Sequence, residues 1–250
     1  LALAARGIAA LQHAGLMERV RPLMMPMRGR RVHEPGAPST FLPYGQREHE
    51  VNWSIGRAAL NRRLIDAAAE HAQVNLHFGQ ACVGVRPNDD VLRVRDEASG
   101  RLHDVPLAPT FGADGAGSAV RRSLEAAAYV RSQEEPLDHD YKELTIPAVA
   151  GSFALDPDAL HIWPRGGFML IALPNTDRTF TATLFLAKRG PVSFESLRTD
   201  DDVLALFRRE FADVMPLMPE LLREFREHPQ GELATLHAEP WHHAGQVVLL

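Results

Sequence analysis

Hydrophobic and polar positions change their spacing along the chain, and each spacing predicts a type of element. Between residues 57 and 72 apolar residues recur at helical intervals while most charges lie elsewhere, which predicts an amphipathic helix. Residues 3–20 show a related pattern with a break near Gly15. Alternating runs predict short strands at 74–78, 82–86 and 91–95.

The second half of the chain is richer in strand patterns. Asn175-Thr176-Asp177 separates two apolar runs, so 168–185 is predicted to be a hairpin. Further strands are predicted at 143–146, 160–163 and 247–250. Helices are predicted at 200–212, capped by Thr199 or Asp200, and at 220–228.

Composition narrows the classes of function. The net charge of -5 gives no basic surplus for nucleic acid, and no apolar run approaches the roughly 20 residues that cross a bilayer. The twelve histidines show no metal-ligand spacing, and the lone Cys82 suits a reducing compartment. We therefore expect no metal, no nucleic acid and no membrane segment, and a cytoplasmic protein of bacterial origin.

A glycine-rich segment, Gly112-Ala113-Asp114-Gly115-Ala116-Gly117-Ser118, precedes a predicted short helix at 119–124. Small residues allow the backbone to approach a phosphate, and a helix N-terminus favours negative charge. The alternative is an ordinary turn between a strand and a helix, which the spacing does not exclude.

This segment resembles the DG motif of class A flavoprotein monooxygenases, which lies near FAD and the path of NADPH. Asp114 and Gly115 would then contact cofactor. Ser54-Ile55-Gly56-Arg57 resembles the family's Ser-x-x-Arg segment, so Arg57 is expected to contact FAD. The alternative for Arg57 is an exposed residue at the start of a helix.

Longer blocks resemble the kynurenine 3-monooxygenase family in particular. They are Pro26–Arg30, Val32-His33, Pro43–Gly45, Glu143–Pro147, Leu160–Arg165, Phe168–Asn175 and Phe180–Phe185. Together these blocks are specific, although none of them would be so alone. His161 alternates with Ile162 along a predicted strand, so we expect it to face away from the pocket and to be structural.

The resemblance assigns the substrate carboxylate to Arg30 and Tyr44, a guanidinium and a phenol suited to binding it. It assigns the aromatic ring to apolar side chains, and places FAD near Ala2 and Cys82. The apolar set is Leu160, Ile162, Ile171, Leu173 and Phe185. The alternatives are a solvated Arg30, a turn-edge Tyr44, and ordinary core residues for the apolar set and Cys82.

The fold implied is α/β (α+β overall): an incomplete Rossmann-like FAD-binding domain with an antiparallel or mixed β-sheet substrate domain. We expect the FAD part at 1–124, with a strand-rich substrate-contacting segment at about 22–55. The substrate domain is expected at 125–235, and a return strand to the FAD domain at 236–250.

The resemblance implies an NADPH- and FAD-dependent monooxygenase that uses O2 to hydroxylate L-kynurenine, with the flavin rather than a side chain carrying the chemistry. The alternatives are a related hydroxylase of another aromatic acid and a non-catalytic flavin-fold binding protein. Leu1 is not Met and 247–250 ends within a strand pattern. We therefore expect flanking cofactor motifs, an inactive isolated fragment, and any membrane anchor outside this stretch.

Overall fold

The computed structural model describes residues 1–47 and 49–250. The α-helices are α1 (Ala5–His13), α2 (Met17–Val20), α3 (Arg57–Ala69), α4 (Ala119–Ala126), α5 (Asp200–Glu210) and α6 (Leu221–Glu227). Gly15, at φ +67°, separates α1 from α2 where the sequence predicted a break. The helices predicted at 57–72, 119–124, 200–212 and 220–228 are confirmed as α3 to α6.

The strands of the first half are short. They are β1 (Ala2–Leu3), β2 (Met24–Met27), β3 (Gly29–Val32), β4 (Thr40–Pro43), β5 (Asn52–Ile55), β6 (Gln80–Arg86), β7 (Val91–Asp96), β8 (Leu102–Pro106) and β9 (Thr110–Gly112). The later strands are β10 (Arg131–Ile146), β11 (Ala159–Pro164), β12 (Met169–Pro174), β13 (Phe180–Ala187), β14 (Gln230–Glu239), β15 (His242–His243) and β16 (Val247–Leu249).

The chain forms two compact units. The first contains Leu1–Val74 and Leu137–Leu233, and the second contains Asn75–Pro136 and Ala234–Leu250. These units group residues by contact, whereas the boundaries predicted at 124 and 235 divide the chain by cofactor and substrate roles. That division by role stays a prediction.

The first unit is organised by a seven-stranded sheet in the order β14-β10-β13-β12-β11-β3-β4. In the run β10-β13-β12-β11, each strand is antiparallel to its neighbours in that run. β11 pairs in parallel with β3. The predicted hairpin is confirmed: β12 and β13 are joined by a turn in which Asn175 N donates to Thr179 O at 2.8 Å.

One face of this sheet is buried by α5, α6 and the segment between them. Sheet residues such as Leu170 and Leu184 pack there against Phe207 and Phe211, all completely buried. Burying such a side chain contributes about 1.5–3 kcal/mol. The alternation of side chains along strands therefore assigns every second residue to this core.

The first unit also holds a smaller sheet, in the order β1-β5-β2. Its apolar cluster joins Leu11 of α1, Met17 and Val20 of α2, Met24 of β2 and Ile55 of β5. This cluster fixes the end of β5, and therefore the start of α3, because Gly56 is the only residue between the two elements.

The second unit has two three-stranded sheets. One is the antiparallel meander β6-β7-β8, and the other places β16 in parallel beside β9 and antiparallel to β15. Its core contains Val85, Val120, Leu124 and Val247. The helix α4 approaches β6 closely at Gly84, where a Cβ atom would lie 2.7 Å from Ser123 Oγ. A side chain at this position would displace the Ser123 hydroxyl, which accepts from Val85 N.

The strand predicted at 74–78 is wrong. Val74 N donates to His71 O in a turn, and Gly79 adopts a φ of +67° before β6 begins at Gln80. The alternation of apolar residues suggested a half-buried strand, but Phe78 is 71% exposed. Without a neighbouring strand to accept its hydrogen bonds, such a segment does not become a strand.

We expect Thr199→Ala to lower the free energy of unfolding by about 1 kcal/mol, because Thr199 caps α5. Its hydroxyl accepts from Asp202 N, and the Asp202 carboxylate accepts from Thr199 N. Urea unfolding followed by circular dichroism measures the loss. Thr176→Ala, in the exposed β12–β13 turn, is the control and should change stability by less than about 0.5 kcal/mol. Equal values for both variants would contradict the capping role.

Candidate functional site

The face of the seven-stranded sheet opposite the helices is only partly covered. Ile162 of β11 lies opposite Ile171 of β12, and Phe185 of β13 lies opposite Met169 of β12. Directly paired residues share a face of the sheet. The apolar residues that the family resemblance assigns to the ring pocket therefore lie together on this open face, and all but Leu173 are half-buried.

Arg30 and Tyr44 meet at one end of the open face. β3 places Arg30 beside Leu160, in the parallel ladder with β11. Tyr44 follows β4, and the guanidinium carbon of Arg30 lies 5.4 Å from the centre of the Tyr44 ring. A cation over an aromatic ring is stabilised by the ring's negative face. This contact leaves the guanidinium N–H groups and the phenol hydroxyl at the edge of an apolar strip.

A cavity of about 710 Å³ lies at the start of α3. It is lined by Leu1, Gly56, Arg57, Ala58, Leu60, Asn61, Leu64, Glu143 and Thr181. Glu143 lies on β10 and Thr181 on β13. Thr181 is four residues from Phe185 on the same strand, and Glu143 is two residues from Tyr141, which lies opposite Phe185. Both side chains are therefore on the open face of the sheet. The cavity volume is within the range of ligand sites, about 300–1,000 Å³.

The start of α3 suits an anionic group. Gly56 occupies the N-cap and provides no side-chain hydrogen bond, so the first-turn amides are not capped by a side chain. Arg57 adds a guanidinium at the same place, and the amides and the helix dipole favour negative charge. Glu143 in the same cavity accepts hydrogen bonds from hydroxyl groups but repels phosphate. The cavity therefore suits a ligand with both anionic and hydroxyl groups.

The glycine-rich loop in the second unit is closed by its own side chains. Asp114 Oδ2 accepts from Ala119 N at 2.7 Å, and Ser118 Oγ accepts from Arg121 N at 2.9 Å. Burial would raise the pKa of Asp114, but hydrogen bonds from Ser118, Ala119 and Val120 outweigh it and lower the pKa. Asp114 and Ser118 therefore cap α4, and the expectation of a phosphate near this loop stays a prediction.

Gly115 turns the chain within this loop, at a φ of +75° that residues with a side chain rarely adopt. Its role as a cofactor contact, and that of Asp114, stay predictions. Cys82 lies on β6 in the second unit, half-buried, and burial raises the pKa of its thiol. Ala2 lies on β1 in the first unit, opposite Ser54 of β5. Both also stay predicted FAD contacts.

His161 faces the helix-covered side of the sheet, as the alternation along β11 predicted, and is 1% exposed. No role was predicted for Met169, Tyr141, Thr181 and Glu143, which share the open face with the predicted residues. Their spacing from Phe185 along and across the strands could have indicated them. Glu143 and Thr181 are polar, so the alternation of apolar residues along the strands does not include them.

Among residues 1–47 and 49–250, no group of three or more His, Cys, Asp or Glu side chains could hold a metal ion. No helix in the same residues has both the length and the apolar character needed to span a membrane.

Solved structures of known enzymes share this fold. The tetrameric form of 2-methyl-3-hydroxypyridine-5-carboxylic acid oxygenase matches the whole chain with a TM-score of 0.75 and 17% identity, over 63% of its own length. Klebsiella pneumoniae HpxO, complexed with FAD and uric acid, matches the whole chain with a TM-score of 0.69 and 18% identity, over 62% of its own length. The fold is therefore the mixed α/β fold of FAD-dependent hydroxylases.

Curated relatives share far more sequence. Kynurenine 3-monooxygenase of Xanthomonas campestris pv. campestris (strain 8004) is 45% identical over all of this chain, and that of Myxococcus xanthus (strain DK1622) is 41% identical. The chain spans about 55% of the length of these relatives. No protein-family model matches the chain. The resemblance inferred from the sequence is thus confirmed over its full length.

We expect Asp114→Ala to destabilise the chain by about 1 kcal/mol at neutral pH, because it removes a cap of α4. A carboxyl with a lowered pKa stabilises the fold above its unfolded pKa, near 4, and that stability is lost as pH falls through the folded pKa. The difference between wild type and variant should therefore shrink in acid.

Urea unfolding at pH 7 and pH 3 measures this difference. Asp138→Ala, an exposed position on β10, is the control and should be nearly neutral at both values. A difference between wild type and Asp114→Ala that is constant with pH would show that the carboxylate does not act as the cap.

Proposed function

We propose that this chain is the substrate-positioning part of an NADPH- and FAD-dependent monooxygenase that hydroxylates L-kynurenine to 3-hydroxykynurenine with O2. The observation that carries the proposal is the open sheet face, with Arg30 and Tyr44 at one end of an apolar strip. The names of relatives at 41–45% identity give independent support. Their bacterial sources and the single cysteine support a cytoplasmic location in a bacterium.

Arg30 and Tyr44 would bind the carboxylate of the amino acid. A guanidinium offers parallel N–H donors to the two carboxylate oxygens, and the phenol offers one O–H donor. The aromatic ring would then lie along Leu160, Ile162, Ile171, Leu173 and Phe185. These side chains exclude water and fix the distance between the bound carboxylate and the carbon that reacts.

FAD fits the residues of the chain. The cavity at α3 combines Arg57 and uncapped amides with Glu143 and Asn61, which suits a molecule with phosphate and hydroxyl groups. We assign Ala2, Arg57, Cys82, Asp114 and Gly115 to its binding. When bound and reduced by NADPH, FAD supplies the activated oxygen that enters the ring. The protein's own contribution is to hold the substrate and to exclude water.

The proposal predicts kynurenine-dependent consumption of NADPH and O2. The assay uses the chain with any flanking coding sequence of its gene, supplied with FAD, NADPH and one aromatic acid at a time. L-Kynurenine should give 3-hydroxykynurenine, detected by chromatography. Hydroxylation of another aromatic acid in preference would favour the related-hydroxylase alternative. Absence of turnover with every acid, despite bound FAD, would favour a non-catalytic binding protein.

Arg30→Ala should raise the KM for L-kynurenine by roughly 10- to 100-fold, since a charged hydrogen bond contributes about 1.5–3 kcal/mol. Tyr44→Phe should have a smaller effect, since a neutral hydrogen bond contributes about 0.5–1.5 kcal/mol. Arg189→Ala, in the exposed loop after β13, is the matched control and should leave KM unchanged.

Kynuramine, the decarboxylated analogue of kynurenine, tests directly whether Arg30 binds the substrate carboxylate. Wild type should prefer kynurenine over kynuramine, because only kynurenine offers the carboxylate. Arg30→Ala should remove most of this preference. A variant that loses kynurenine and kynuramine turnover in equal proportion would contradict carboxylate binding by Arg30.

A further inference from the structure

The position of Arg30 depends on how β3 is held. β3 has two neighbours in the sheet, β11 on one side and β4 on the other, and β4 is a four-residue strand that is exposed throughout. The firm attachment is the parallel ladder to β11, extended by Arg28 N donating to Asp158 O and by His33 N donating to Ile162 O. A shift of β3 by one residue would turn Arg30 to the opposite face.

Side chains on the back of β3 reinforce this ladder. The Arg31 guanidinium donates twice to Asp156 Oδ2, at 2.6 and 3.2 Å. His33 stacks on the Trp163 ring, with centroids 4.3 Å apart and planes inclined by 11°. Arg165 Nη1 donates to His33 O at 2.9 Å. Each contact joins β3, or the residue after it, to β11 or its flanking turns.

A further link of this kind is a hydrogen bond between two histidines. His33 Nε2 lies 2.8 Å from His161 Nδ1, and His161 Nε2 lies 2.9 Å from Asp156 O. A carbonyl oxygen only accepts, so His161 Nε2 carries a proton and donates it. The neutral His161 ring then has a lone pair on Nδ1, and the donor to it is His33 Nε2–H. The geometry thus fixes one tautomer for each ring.

Charged groups of both signs lie near the two rings. Asp213 Oδ2 lies 3.8 Å from His33 Nδ1 and accepts from Trp163 Nε1 at 2.7 Å. Asp156 faces His161, while Arg31 and Arg165 are the neighbouring cations. Burial, followed by the influence of His161, lowers the pKa of His33 to about 4, and burial lowers the pKa of His161. Both rings are therefore neutral near pH 7.

We propose that His33 and His161 are positioning residues whose hydrogen bond holds β3 in register on β11, and thereby keeps Arg30 on the open face for the substrate carboxylate. This inference rests on the proposed function of Arg30. It gives the buried His161 and the partly buried His33 a role in specificity, although neither ring reaches the open face. Because His161 is buried, leaving its Nδ1 without a hydrogen-bond donor would cost free energy. This cost favours the arrangement in which His33 donates to it.

Two substitutions separate the hydrogen bond from the packing. His33→Phe keeps an aromatic ring on Trp163 but loses the donor, whereas His33→Gln keeps an N–H donor at the place of Nε2 and cannot titrate. We expect His33→Phe to raise the KM for L-kynurenine by roughly 10-fold, with kcat changed by less than about 2-fold and the KM for kynuramine unchanged. His33→Gln should restore the wild-type KM. His13→Gln, at the exposed end of α1, is the control.

The result that would overturn the proposal is an equal rise of both KM values in His33→Phe, or a wild-type preference for kynurenine in that variant. Crystal structures of wild type, His33→Phe and His33→Gln give a readout that does not depend on turnover. The Arg30 guanidinium should leave its place 5.4 Å from the Tyr44 ring centre in His33→Phe only. An unmoved Arg30 refutes the proposal even if kynurenine proves not to be the substrate.

Imidazole nitrogen NMR on wild type tests the pair itself. We expect His161 to carry its proton on Nε2 and to show coupling from His33 Nε2–H to His161 Nδ1. Detection of the opposite tautomers would refute the pair. If the tautomers and the Arg30 shift are as expected but the intact protein does not turn over kynurenine, the proposed function fails and the positioning role stands.

The lowered pKa of His33 also predicts how stability depends on pH. Between pH 6.5 and about 4, the unfolded chain binds a proton at His33 that the folded chain does not bind. Stability from this site is complete above pH 6.5 and falls as the solution becomes more acidic. The drop in melting temperature over this range should be smaller in His33→Gln than in wild type, and an identical drop would contradict the assignment.

Discussion

Alternation of side chains across the seven-stranded sheet is the constraint from which the rest of the first unit follows. Burial of Leu170, Leu184 and their neighbours beneath α5 and α6 decides which parity of each strand faces the core. The residues that alternate with them along each strand then form the open face. Because the period is two, a slip of one residue in any strand would exchange the two faces.

The same constraint explains how the site can be open and still well defined. The residues of the apolar strip alternate along each strand with residues that fill the core on the other face. Packing of the core therefore fixes their positions, without further packing on the open face. Arg30 lies on β3, which is one strand from the edge and cannot rely on a deep core. Its register is instead fixed by polar contacts on the back of the strand, through Arg31, His33 and His161.

Sequence reasoning predicted most of the strands and helices, because their periods are set by the buried face and are visible in the apolar residues. It also brought Arg30 and Tyr44 together, through a resemblance rather than through physics. The run at 74–78 misled it, since an alternating pattern indicates a strand only where a partner strand is available.

Other features required coordinates. The capping of α4 by Asp114 depends on the path of the loop, and a glycine-rich segment before a helix does not reveal which groups its amides bind. The pairing of His33 with His161 joins residues 128 positions apart in the chain, and neither residue has a neighbour in sequence that indicates the other. Glu143 and Thr181 were missed because polar residues on an open face carry no periodic signal.

A crystal structure of the chain, with any flanking coding sequence of its gene and with L-kynurenine bound, tests the central claim most directly. The account predicts the carboxylate within hydrogen-bond distance of Arg30 and Tyr44, and the ring against Leu160, Ile162 and Ile171. A carboxylate bound instead at the start of α3, or a ring on the helix-covered side of the sheet, would contradict it.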